Sequence, residues 1–91
     1  MIDDIKTPET PTLWQRLERA KPETLATFLS RESSQTIALV LDRLSPEASA
    51  RVIARFPAPL ASDIIDRMTR LEAVPETVMK VIESMLEREF V

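Results

Sequence analysis

The chain has 91 residues, enough for one domain at most. It contains no cysteine, histidine or glycine, which excludes disulfides, thiolate and imidazole metal sites, Cys/His catalysis and glycine-rich phosphate loops. Its net charge of −3, from 12 basic and 15 acidic residues, argues against a nucleic-acid domain.

Apolar residues make up 44% and charged residues 30%, the balance of a soluble globular protein. The absence of cysteine suits a cytosolic location. The longest purely apolar run is the five residues from Ile37 to Leu41, far short of the roughly 20 that span a bilayer. The N-terminus, MIDDIKTPET, is acidic and lacks an apolar core, so it does not read as a signal peptide.

The dipeptide Pro-Glu recurs at Pro8-Glu9, Pro22-Glu23, Pro46-Glu47 and Pro75-Glu76. Proline suits the first helical position, where its missing N–H costs nothing. The glutamate after it lies in the first turn, where the helix dipole favours negative charge. The last three pairs each precede an apolar run at helical spacing. The first precedes only polar residues, so residues 1–10 are expected to fray or be disordered, with a helical domain over 11–91.

In chain order, Leu13, Trp14, Leu17 and Ala20 predict a short first helix, and Leu25, Phe28 and Leu29 a second. Ile37, Leu41 and Leu44 line a third, widened by Val40. Val52, Ile53 and Phe56 mark a fourth, with Ser45 as its N-cap. Leu60, Ile64, Met68 and Leu71 form the stripe of a fifth. Val78, Val81, Ile82, Met85 and Leu86 line a sixth. No segment has the alternation and turn residues of a hairpin.

The expected fold is therefore all-α, an armadillo-like superhelical segment of about five to six short helices. Linkers of about two to five residues are expected to pack sequence neighbours as helical hairpins. Helices of about three turns do not hold their shape alone in water, so packing must stabilise them. One solenoid segment leaves its end faces uncovered, which predicts association with a second helical layer.

Glu32-Ser33-Ser34-Gln35 opens the most apolar helix. As a cap, Ser33 or Ser34 accepts a backbone N–H, and Gln35 or Glu32 supports the first turn. As a polar edge beside an apolar helix, the same residues form a docking surface, and the two roles are compatible. Arginine outnumbers lysine nine to three, a bias that suits interfaces because the planar guanidinium pairs with carboxylates. Arg51 and Arg55 share one helix face, Arg67 and Arg70 lie on the next helix, and solvation is the ordinary fate of such groups. Asp63 and Arg67 are spaced as an exposed i, i+4 pair. The acidic pairs Asp63/Asp66 and Glu83/Glu87 suit weak Mg²⁺ coordination or hydrolysis, yet no nucleophile or oxyanion loop accompanies them. No catalytic residue, resident metal or cofactor is expected. Trp14 and Phe28 read as core residues, with an exposed edge as the alternative for Trp14.

The stretch from Glu32 to Leu71 resembles the middle domain of the flagellar motor switch protein FliG. That family carries Glu-His-Pro-Gln followed by Thr-Ile-Ala and an apolar helix. Glu32, Gln35, Thr36, Ile37, Ala38, Leu39, Val40 and Leu41 match in order. Leu44-Ser45-Pro46-Glu47 is similar to the family's Leu-Asp-Pro-Glu, and Phe56-Pro57 to its Leu-Pro. Arg67, Met68 and Leu71 look like its Arg-Ile-Ala-x-Leu stretch, and Glu83 to Phe90 like its Glu-x-Val-Leu-Glu-x-Glu-Leu ending. Upstream, Leu25 to Leu29 also fits, and the match runs over roughly residues 12–91.

The resemblance implies a non-enzymatic module that docks the middle domain of the switch protein FliM and stacks on neighbouring FliG copies. Such stacking builds a ring, the C-ring, on the cytoplasmic side of the membrane and supports motility and chemotactic switching. Carried across, Glu32 and Gln35 are the polar ends of the FliM-binding edge and Arg67 is its basic partner. Ser33, Ser34 and Thr36 lie between or beside them, and Ile37 and Met68 are the flanking apolar surface. The family's His and Pro are Ser33 and Ser34 here. Two serines keep a helix N-terminus but lose two ring surfaces, which implies either a partner surface changed to match or weaker docking. The alternative is a regulatory domain similar to the cytosolic N domain of MgtE-type magnesium transporters, a superhelix of short Leu- and Pro-Glu-rich helices that binds Mg²⁺ through acidic faces. A helix-turn-helix DNA binder is disfavoured by the charge and the acidic last helix.

Overall fold

The computed structural model describes residues 12–90. The described residues form six helices: α1 (Leu13–Arg19), α2 (Pro22–Leu29), α3 (Ser34–Asp42), α4 (Pro46–Ile53), α5 (Ala58–Thr69) and α6 (Glu76–Glu89). They contain no strand, in agreement with the all-α expectation. Residues 1–10, expected to fray, lie outside the described residues. Among the described residues, no helix is long and apolar enough to cross a membrane.

Helices α1, α3 and α4 begin at side-chain caps, and α2, α5 and α6 begin at prolines without one. Thr12 and Gln15 close a reciprocal box at α1, with Thr12 Oγ1 accepting from the Gln15 amide and Gln15 Oε1 from the Thr12 amide. Ser33 caps α3 by accepting from the Thr36 amide, and Ser45 caps α4 by accepting from the Ala48 amide. Pro22 and Pro46 open α2 and α4, while Pro57 and Pro75 sit at the cap positions of α5 and α6. The Pro75-Glu76 pair is thus shifted by one position from Pro22-Glu23, with Glu76 rather than the proline as the first helical residue.

The helices also end without glycine. No described residue has positive φ, so the left-handed cap that usually closes a helix is not used. Right-handed residues tighten the last turn instead. Arg43 and Leu44 donate to the carbonyls of Val40 and Leu41, each at 3.1 Å. Arg55 and Phe56 do the same to Val52 and Ile53 at 2.9 and 3.1 Å. These three-residue bonds satisfy carbonyls that the end of an α-helix leaves without partners.

Helix α3 is the centre of the core. Ile37, Ala38, Val40 and Leu41 are all fully buried, which spreads beyond a single stripe and means that α3 is covered on several sides. Leu17, Leu25, Leu29, Ile64 and Leu86 bring one or two deeply buried side chains from each of α1, α2, α5 and α6. The main packing partners are α3 with α5, α2 with α4, and α1 with α6. The expected packing of sequence neighbours as hairpins is therefore corrected. Only α3 and α4 make a comparable neighbour contact; α2 and α3 each lie chiefly beside the next helix but one, and α1 lies beside the distant α6. After α2 and α3 the chain leaves through a right-handed cap residue and enters the next helix through an extended one, a path that turns the chain aside rather than reversing it. The 70–75 connection is also longer than expected.

The sixth helix needs a second correction. Its buried residues are Met79, Ile82 and Leu86, with Met85 half-buried. Val78 and Val81, expected on the inner stripe, are 42% and 70% exposed. Met79, Ile82 and Leu86 already supply the i, i+3, i+7 positions of an inward stripe, which turns Val78 and Val81 outward.

Candidate docking surface

The N-terminus of α3 and the middle of α5 meet through side chains. Ser33, as the cap, uses its Oγ on Thr36, accepting from the amide at 3.2 Å and donating to Oγ1 at 3.1 Å. That leaves the hydroxyl of Ser34, the first residue of α3, free of capping. It donates instead across to α5, to Asp63 Oδ2 at 2.6 Å. Asp63 Oδ1 accepts from Arg67 Nε at 3.1 Å, one helical turn on. Arg67 Nη1 then returns to α3, donating to Gln35 Oε1 at 3.2 Å. The Ser34 hydroxyl, foremost, holds the Asp63 carboxyl below its ordinary value; partial burial opposes this and Arg67 assists it.

The structure therefore brings Ser34, Gln35 and Arg67 into one network, with Ser33 and Thr36 beside it. Glu32 is half-buried at the preceding turn, where its amide donates to the Leu29 carbonyl at 2.8 Å. Met68 is half-buried and packs against the core. Ile37 is corrected. It is fully buried, because it lies on the inward face of α3, and it supports the edge from beneath without forming its surface. Asp63 was not among the expected site residues. The signal for it was present in sequence as the i, i+4 spacing to Arg67, but its link to Ser34 is a tertiary contact across 29 positions.

Most of the other paired charged groups tie helices together, while Asp66 and Arg70 pair along α5. Glu83, on α6, accepts from Trp14 Nε1 at 2.9 Å and lies 4.0 Å from Arg43, whose guanidinium stacks 4.9 Å from the Trp14 ring centre. Glu87 pairs with Arg16 at 2.5 Å, Glu23 with Arg55 at 3.7 Å and Asp66 with Arg70 at 3.3 Å. The acidic pairs Asp63/Asp66 and Glu83/Glu87 thus have cationic or hydroxyl partners. No group of three or more potential metal ligands occurs among the described residues, and no observation favours the Mg²⁺-binding alternative.

The model of the FliG middle domain family matches residues 22–91. A flagellar motor switch protein FliG from Bradyrhizobium diazoefficiens is 41% identical over 90 residues, covering 99% of this chain. The chain spans 27% of that relative's length. Among solved structures, a chain of the FliG–FliM complex from H. pylori superposes with a TM-score of 0.79 at 31% identity, covering 86% of this chain and 98% of the other.

Proposed function

Because the chain belongs to the FliG middle domain family, we propose that it is a docking module of the flagellar rotor switch. In this role it binds a FliM-like protein through the edge formed by Glu32, Ser33, Ser34, Gln35, Thr36, Arg67 and Met68. One observation carries the assignment. Gln35 and Arg67, which the resemblance places on one binding edge, are joined at 3.2 Å although they lie 32 positions apart on different helices. The H. pylori relative of the same fold is one of a FliG–FliM complex.

The proposed mechanism is recognition without chemistry. The edge presents a guanidinium, an amide and a carboxylate over a rigid apolar helix, a combination suited to directional hydrogen bonding at an interface. Copies of the protein further stack through their uncovered helical ends, placing the module in a ring at the cytoplasmic face of the flagellar basal body. The helical domain over 11–91 is the unit that carries both contacts.

The test is the affinity for a FliM middle domain of the Glu32→Ala, Arg67→Ala double variant. A loss of about tenfold or more is expected, the scale of a central interface residue, with the circular-dichroism melting curve retained. Equal affinity in the double variant removes this edge as the docking site.

A further inference from the structure

We infer that Ser34 is a positioning residue, which through Asp63 fixes the Arg67 guanidinium in the orientation that meets the docking partner. The inference rests on the docking role proposed above. An exposed i, i+4 pair such as Asp63 and Arg67, with side chains 44% and 42% exposed, is ordinarily mobile and weak. Here the carboxylate is held at both oxygens, by Ser34 at Oδ2 and by Arg67 at Oδ1. A carboxylate anchored to a different helix cannot rotate freely about its own side chain. Arg67 is in turn held at two nitrogens, Nε by Asp63 and Nη1 by Gln35. Two bonds to a planar group fix its plane and leave the Nη2 amino group for a partner.

The residue type at position 34 matters for a chemical reason. A proline, which the resemblance places there in the family, starts a helix equally well but has no donor. In this chain the hydroxyl tethers α3 to α5 instead. The serine replacement thus exchanges ring surface for an ordered arginine, and an arginine ordered before binding loses less freedom on association.

Ser34→Pro removes the hydroxyl, restores the ring and keeps a residue that starts a helix well. Position 34 is the first residue of α3, where proline is well tolerated, and Ser33 already has the extended backbone, φ −68° and ψ 154°, that a following proline requires. The first readout is the ¹⁵N heteronuclear NOE of the Arg67 Nε–H in the free chain. The second is affinity for the FliM middle domain. Ser34→Pro is expected to lower the NOE and weaken binding by about two- to tenfold, whereas Ser34→Thr, which keeps the hydroxyl, retains both. Arg67→Ala losing affinity while Ser34→Pro keeps both the wild-type NOE and affinity overturns the positioning role alone. Arg67→Ala binding as tightly as wild type overturns the docking role, and this inference with it.

Discussion

Trp14 on α1 donates its indole N–H to Glu83 on α6 at 2.9 Å, joining the first and last helices across 69 positions. Arg43, at the end of α3, lies over the same ring at 4.9 Å, so one half-buried side chain gathers three helices. The short α1, of 7 residues, depends on such contacts because a helix of that length does not persist alone. Trp14→Phe keeps most of the apolar area but removes the N–H. Urea unfolding is expected to show a loss of about 1–2 kcal/mol, and a far smaller change in Glu83→Gln, which keeps an acceptor.

Ser45 holds two elements at once. It caps α4, and its amide and hydroxyl both donate to Glu18, on α1, the amide at 3.0 Å. Ser45→Ala is expected to cost about 1 kcal/mol through the cap alone, read as a lower thermal midpoint. Ser45→Asp, a good cap that repels Glu18, separates the two roles. It should stabilise less than an ordinary cap replacement, and a variant as stable as wild type counts against the contribution of Glu18.

The acid limb of stability follows from Glu18 and Asp63. Both carboxyls sit below their ordinary values, Glu18 chiefly through the Ser45 hydroxyl and amide and Asp63 chiefly through the Ser34 hydroxyl. A group with a lowered folded value contributes stability above its unfolded value and loses it as pH falls through the folded one. The loss therefore begins near the ordinary values of 4.5 for Glu18 and 3.8 for Asp63 and grows below them. The thermal midpoint should change little between pH 7 and 5 on their account and fall below pH 4. Ser34→Ala and Ser45→Ala should each shallow that fall, and an unchanged acid limb in both variants contradicts the assignment.

Helix α6 offers a test of register. Leu86 is fully buried and Val81 is 70% exposed. Leu86→Ala should cost about 2–5 kcal/mol, whereas Val81→Ala should stay within about 0.5 kcal/mol. Comparable losses at the two positions would mean that Val81 faces the core.

Most of the architecture was legible because local chemistry sets it. The recurrent Pro-Glu pairs and Ser45 marked helix starts, and Leu60, Ile64 and Met68 recur on one side of α5. The inner face of α6 was misread because valine at 78 and 81 is as apolar as methionine at 79. Only the packing of α6 against the rest decides which stripe turns inward. The packing of alternate helices was also hidden, since linker length limits which helices can meet but does not set the direction of the turn between them. At the candidate site, Gln35 and Arg67 were named from resemblance, while Asp63 entered only as a local ion pair. Its bond to Ser34 depends on how α3 crosses α5, which no spacing in the sequence encodes. Ile37 was placed at the surface because it adjoins the polar edge in sequence, yet on a helix adjacent positions face different ways.

The most direct measurement is an NMR titration of the ¹⁵N-labelled chain with the FliM middle domain from the same organism. Perturbations concentrated on the amides of Glu32 to Thr36 and on the Arg67 side chain, with α6 largely unaffected, are the predicted result. Saturating partner with no shifts at that edge, or shifts confined to another face, would contradict docking through the α3–α5 junction.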